Sequence, residues 1–332
     1  MSKFLARDKV IYAFDPDLEP VISVDQCEVL TLETLDCFAG QIQAGDTPKD
    51  VFDWNRVNPA TGPVYIRGVK PGDVVRIDIL NIEIADQAIM TCIPGAGALG
   101  DHITKAEHTF LKREDKSIIL PTEKGNLDIP IKPMIGVIGM VPADRAISTG
   151  TPDAHGGNMD CRLVTEGSSV YFRAGVAGGL FACGDLHAVM GDGEVLICGA
   201  ETSGEVTIRA EVVDAPDLPT PMLENGGLYA VLASAKTVDE ACKLANEMML
   251  AFLTDTVGLS VNDAVRMMSL IGNLRICQIV DPLMTVRFEF PRWALSELGF
   301  NRIGQSEPHC HAASRDYYTE DDYSATIPEA LT

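Results

Sequence analysis

The sequence predicts an α+β, β-rich fold in which an N-terminal β-sandwich or barrel-like part is followed by a smaller C-terminal α+β part. Three observations point there. Apolar and polar residues alternate through much of residues 1–220, the period of a half-buried strand. Gly- and Pro-rich turn signals interrupt that stretch at short intervals, which suits many short strands in a sandwich or barrel. Helical periodicity with capping residues enters only after residue 236. The expected division is a β-rich domain over 1–220, an α+β domain of two helices and two strands over 221–305, and an acidic tail or arm over 306–332.

The strand pattern is clearest at Val75-Arg76-Ile77-Asp78-Ile79 and at Val206-Thr207-Ile208-Arg209-Ala210-Glu211-Val212. Turns are expected at Asn58-Pro59, Thr61-Gly62-Pro63, Pro71-Gly72-Asp73, Lys124-Gly125-Asn126 and Gly191-Asp192-Gly193, because Pro presets φ and Gly tolerates φ above zero. A helix starts at Thr237, where Thr237-Val238-Asp239-Glu240 forms a capping box ahead of Val238, Ala241, Leu244, Ala245, Met248, Met249 and Phe252 at helical spacing. A second starts at Ser260, with Asp263 as cap partner and Ala264, Met267, Met268 and Ile271 on its buried side. Strands follow at 274–280 and 284–290, the latter alternating Met284, Val286, Phe288 and Phe290 with Thr285, Arg287 and Glu289. The tail carries His309-Cys310-His311 and many acids, and reads as an arm or as disorder rather than a metal clamp.

A chain of 332 residues, 46% hydrophobic, can bury one large core or a few smaller ones. Lys and Arg number 26 against 48 Asp and Glu, a formal charge of −22. That field repels nucleic acid and anionic lipid, so neither is an expected partner. No apolar run is long enough for a membrane span, and the N-terminus turns charged at Lys3, Arg7 and Asp8, too soon for a signal peptide. A cytoplasmic protein is expected. The nine cysteines contain no Cys-x-x-Cys pair and read as reduced thiols in apolar strands.

Chemistry concentrates in His155-Gly156-Gly157-Asn158-Met159-Asp160, Gly184-Asp185-Leu186-His187 and Gly191-Asp192-Gly193-Glu194. Imidazole and carboxylate ligands together suit a hard or borderline divalent ion, and glycines let backbone approach an ion or a small substrate. Gly191-Asp192-Gly193 also reads as a turn, one able to place Glu194 at the mouth of a site. No phosphate-binding Gly-rich loop and no Gly-x-Ser-x-Gly nucleophile elbow is present in the sequence.

The pattern from His155 through Glu201 resembles the acetamidase/formamidase family of amide hydrolases. Asn58-Pro59-Ala60-Thr61-Gly62-Pro63, Val69-Lys70-Pro71-Gly72-Asp73-Val74, Pro94-Gly95-Ala96-Gly97 and Leu274-Arg275-Ile276-Cys277-Gln278-Ile279-Val280 resemble it in the same order. Two positions depart from the family pattern: Met190 stands for the usual Gln and Asn273 for the usual Asp. If Met190 faces the substrate, its pocket is drier than in relatives.

The resemblance implies hydrolysis of a short linear amide to carboxylate and ammonia through metal-activated water. Asp160, Asp185 and His187 are expected to hold the metal, with His155 as a further ligand or an outer partner. The i, i+2 spacing of Asp185 and His187 puts both on one face of a strand. Glu194 is the expected general base, Glu201 a second candidate for proton transfer, and Asn158 a hydrogen-bonding partner of the substrate amide. Zinc is the favoured ion, with calcium, magnesium or manganese as alternatives. Cys161 reads as packing and Cys183 as the thiol on the ligand face. The alternatives are a non-catalytic small-amide or metal-binding protein, and a hydrolase for a larger amide or cyclic imide. A homodimer or higher homo-oligomer is expected.

Overall fold

The alternation of the N-terminal part closes into two large sheets. The structure, a computed structural model, describes residues 3–43, 45 and 53–304; the tail and its His309-Cys310-His311 lie outside the described residues. A nine-stranded sheet runs Lys3–Leu5, Val29–Thr34, Gly204–Val213, Val74–Ile84, Ser169–Arg173, Met222–Asn225, Leu228–Ala235, Met284–Pro291, Asn273–Gln278. An eleven-stranded sheet has as its main path Gly125–Pro130, Ser117–Thr122, Glu107–Glu114, Gln87–Cys92, Glu201–Thr202, Phe181–His187, Met134–Met140, Gly156–Asn158. The strand Ala60–Ile66 joins it on Phe181–His187 and carries Val10–Ile11 and Ile22–Val24.

The inward faces of both sheets make one core. Leu30, Leu32, Val75, Ile77, Ile79, Val206 and Ile208 come from the first sheet, and Val64, Ile66, Ile135, Ile138, Phe181 and Leu186 from the second. This is the predicted β-rich sandwich. The other face of the nine-stranded sheet is covered by helices, because Tyr229, Val231, Val286, Phe288 and Phe290 project there and need an apolar partner.

Helix α1 (Val238–Ala251) starts where the capping box predicts, Thr237 accepting the Glu240 N–H at 3.2 Å. Helix α2 (Val261–Ile271) starts at Ser260, which accepts from Asp263 N at 3.2 Å. The contact face of α1 is narrower than its apolar stripe: Ala241, Ala245 and Met249 are buried and Leu244 is 40% exposed. A short helix α3 (Arg292–Glu297) follows directly on the last strand. Among the described residues no helix is long and apolar enough to cross a membrane.

The nine-stranded sheet continues across position 220, since Met222–Asn225 pairs with Ser169–Arg173. On the polar side of Met284–Pro291, Arg287 and Glu289 are buried, because a loop from the site lies over them. Seven cysteines are free thiols as expected, whereas Cys27 is disulfide-bonded.

Candidate functional site

A break in strand alternation builds the site. Phe181 and Cys183 face the shared core, as a regular pleat requires, but so does Leu186. Asp185 takes φ +57, an uncommon conformation for a non-Gly residue, and the parity of the strand changes there. His187 therefore turns away from the core. Asp185 and His187 converge on one side as their spacing predicts, yet through this left-handed residue rather than a regular pleat. Cys183 stays in the core, where burial pushes its thiol up to about 12, so it is a packing residue and not a thiol on the ligand face.

Gly136 lies opposite Asp185 in the neighbouring strand. A Cβ at Gly136 would sit 2.5 Å from both Asp160 Oδ1 and Asp185 Oδ2, so the missing side chain is what admits the two carboxylates. Gly199 does the same for the imidazole, since a Cβ there would lie 2.5 Å from His187 Nδ1. Glu201 pairs directly across from His187 in the sheet.

His187 Nε2 stands 3.1 Å from Glu201 Oε1, 3.6 Å from Asp185 Oδ1 and 3.8 Å from Asp160 Oδ1. All four residues are almost fully buried. Ligand atoms of Asp160, His187 and Glu194 lie within 4.8 Å of one another, as do those of Cys37, Asp185 and Glu201. Among the described residues, both Asp160 oxygens, both His187 nitrogens, Asp185 Oδ1, Glu194 Oε2 and Glu201 Oε2 are buried with no hydrogen-bond partner. Orphaned buried polar atoms are costly, and these groups could hold a metal ion.

The electrostatics agree. Burial pushes the carboxyls of Asp160 and Glu194 well above the usual range, and the neighbouring acids Asp281, Asp185 and Asp160 add to it. Burial likewise raises Glu201, to about 7, with His187 opposing. For His187 burial acts downward, but Glu201 and Asp185 outweigh it and raise the imidazole. Protons retained on the raised carboxyls reduce the repulsion among these groups.

The Gly191-Asp192-Gly193-Glu194 segment is a docked loop rather than a hairpin. Gly193 N donates to Cys277 O at 2.8 Å, and Arg287 grips Asp192 with two hydrogen bonds of 2.8 Å. The loop thus rests on the edge strand Asn273–Gln278 and delivers Glu194, at φ +46, to the site.

Sequence reasoning missed Asp281, Cys37, Gly136 and Gly199. Asp281 directly follows the Leu274–Val280 motif; its Oδ2 accepts from Asn158 Nδ2 at 3.0 Å, and its backbone N–H is held by Gln278 Oε1 at 3.0 Å. Gln278 stood inside the motif and was the available signal for it. Cys37 and the two glycines carried no motif.

Part of this cluster opens on a cavity of about 310 Å³. Its lining includes Asn158, Asp185, Glu194, Glu201 and Asp281, the apolar Phe38, Trp54, Val57, Ile93 and Ile197, and the polar Asn58, Thr91, Ser148 and Thr151; among the described residues it contains no Lys or Arg. Two expected members lie apart. His155 packs edge-on against Phe14 at 5.0 Å, its charged neighbours are Asp153 and Arg145, and it is in neither ligand group. Met190 is buried but does not line the cavity, so the drier pocket expected from it does not arise there. Asn273 is exposed at the start of the edge strand, away from the lining.

Similarity searches agree with the resemblance. The model of the Acetamidase/Formamidase family matches residues 6–150 and 143–229. A formamidase of Methylophilus methylotrophus is 28% identical over 254 residues, 60% of this chain and 62% of that protein. The chain thus spans about three fifths of the length of the curated relatives it matches. The crystal structure of an acetamidase from Bacillus halodurans superposes with TM-score 0.86 at 38% identity, covering 90% of this chain and 100% of that one. A predicted acetamidase/formamidase from the thermophile Thermoanaerobacter tengcongensis gives 0.87 at 41% identity, covering 91% and 99%. With its His187-centred carboxylate cluster and these matches along most of its length, the chain belongs to the acetamidase/formamidase family.

Proposed function

We propose that the protein hydrolyses the C–N bond of a short linear amide of the formamide or acetamide kind to carboxylate and ammonia, with a divalent ion, zinc favoured. The observation that carries this reading is the group of buried carboxylates with unpartnered oxygens around His187, three of which, Asp185, Glu194 and Glu201, line a cavity with no Lys or Arg among its described lining residues. That donor set fits a divalent cation; Asp160, Asp185 and His187 would hold it. Such an ion, when bound, lowers the pKa of water to about 7 and polarises a carbonyl.

The chain's own residues supply the remaining requirements. Asn158 is fixed by its Nδ2 bond to Asp281, which leaves its buried Oδ1 without a partner and free to accept a substrate amide N–H. Glu194 lines the same end of the cavity with a raised carboxyl and an unpartnered Oε2. In its ionised form that carboxylate can take a proton from the attacking water and return it to the departing amine. Glu201 holds His187 at 3.1 Å and accepts the Gly199 N–H at 2.9 Å, so it orients the imidazole and is the second proton-transfer candidate. His155, packed away from the cluster, would act only through the backbone of its own loop.

A second reading has support in the cavity, whose volume and partly apolar lining suit a larger amide or cyclic imide. The same protein is read as a cytoplasmic homodimer or higher homo-oligomer, with most of its cysteines free thiols.

The deciding experiment is ammonia release from formamide, acetamide and a series of longer amides, before and after chelation and metal add-back. Chelator-sensitive turnover of the short amides supports the first reading, and a preference rising with acyl length supports the second. Bound metal without turnover of any amide would leave a non-catalytic binding protein. His187→Ala is expected to lower kcat by at least about a hundredfold and to lose the metal while the fold persists; full activity in that variant would sink the assignment.

A further inference from the structure

We infer that Cys37, together with Asp185 and Glu201, forms a second position for a divalent cation beside the one proposed for Asp160, Asp185 and His187, and that its sulfur favours a zinc-like ion there over calcium or magnesium. This rests on the metal reading of the site.

The geometry comes first. The Cys37 sulfur and one carboxylate oxygen each of Asp185 and Glu201 lie within 4.8 Å of one another, on side chains that are 6%, 2% and 2% exposed. Asp185 Oδ1 and Glu201 Oε2 have no hydrogen-bond partner. Burial raises the Cys37 thiol, and the nearby acids Glu201, Asp185 and Asp36 add to it. His187, Asp160 and Glu194 form a second set, which adjoins the first through His187 Nε2, 3.1 Å from Glu201 Oε1 and 3.6 Å from Asp185 Oδ1.

Charge balance points the same way. Asp160, Asp185, Glu194, Glu201 and Asp281 converge with no Lys or Arg among the described lining residues. One divalent ion offsets only part of that charge, and buried charge left unpaired is strongly unfavourable. A second ion offsets more of it, with Asp185 shared between the two. Oxygen ligands alone suit calcium or magnesium, whereas a thiolate selects softer ions. Loading this position releases the thiol proton to solvent as the sulfur–metal bond forms.

The competing account is that Cys37 is only a core thiol, since it packs with Phe38, Ile42 and Ile89. Cys198 provides the control: it lines the same cavity, but its sulfur is already engaged with Thr91, accepting from N at 3.4 Å and lying 3.7 Å from O.

The test is metal content and the sulfur-to-cobalt charge-transfer absorption of the full chain, stripped and reloaded with zinc or cobalt. The wild-type chain is expected to take up about two equivalents and to show the band, as in two-metal hydrolase sites. Cys37→Ser should fall to about one equivalent and lose the band, while Cys198→Ser keeps both. A wild-type chain that saturates at about one equivalent, or a Cys37→Ser chain that keeps the band, overturns the inference and leaves the first metal position standing. A wild-type chain that binds no divalent ion overturns both together. Should Cys37→Ser fail to fold, the wild-type and Cys198→Ser spectra still decide, since absence of the band in either is incompatible with a Cys37 ligand.

Discussion

At the scale of single residues, the site depends as much on absent atoms as on ligands. Gly136 makes room for two carboxylates. Gly136→Ala is therefore expected to lower metal affinity and kcat/KM by at least about tenfold, with a stability loss of about 1–3 kcal/mol from overpacking; unchanged metal affinity by titration would refute the close-approach argument. His155 makes a different prediction. Burial lowers its pKa to about 4, below its ordinary value of about 6.5 in an unfolded chain. The unfolded chain takes up the proton first, so stability is present above about pH 6.5 and is lost as pH falls toward about 4, by up to about 3 kcal/mol. His155→Phe has no proton to take up and should lose correspondingly less across that window, measured by urea unfolding at both ends. Most side chains of the cluster were legible in the sequence because His, Asp and Glu group in short Gly-rich motifs. The part played by His155 was not, because its motif fixes a backbone path and not the direction of its ring.

At the scale of elements, the loop carrying Glu194 is held by a residue far away in the chain. Arg287 is 1% exposed, grips Asp192 and donates to Glu289 Oε1 at 2.7 Å. Arg287→Met leaves the buried Glu289 with only Arg275, 3.8 Å away, as a cationic partner, at a cost of up to about 3–5 kcal/mol. It also releases the loop, so kcat should fall by about tenfold or more, and an unchanged kcat in the folded variant would disconnect the clamp from Glu194. Both helix starts were legible, since a cap is a contact between residues three apart: Thr237 with Glu240 and Ser260 with Asp263. The buried face of α1 was less so. Small residues at Ala241 and Ala245 meet the sheet and leave Leu244 outside, a choice made by the sheet beneath the helix.

At the scale of the whole molecule, two sheets share one core and a helical layer covers the outer face of the nine-stranded sheet. Stacking the eleven-stranded sheet against that core turns His187 and its acids to the opposite side, where loops from distant parts of the chain close over them. In the metal-free protein, the raised carboxyls retain protons that the unfolded chain has released. Stability of that form should therefore fall as pH rises from the ordinary carboxylate range, about 4, through about 7, where Glu201 releases its proton. Zinc should abolish the slope by replacing those protons; thermal melts with and without metal across this range check it, and identical slopes would count against an ion in the cluster.

The sequence by itself determined the β-rich class, the capped helices, the family resemblance and most of the residues of the cluster, because strand period, capping and motif spacing are written in short stretches of chain. Tertiary structure alone decided that Asp281 binds Asn158 across 123 positions, that Arg287 holds Asp192 across 95, that Cys37 meets Asp185 and Glu201, and that His155 stands aside. Those contacts arise from sheet pairing and core packing between remote segments, whose registers are set by burial of the whole chain and not by any local pattern.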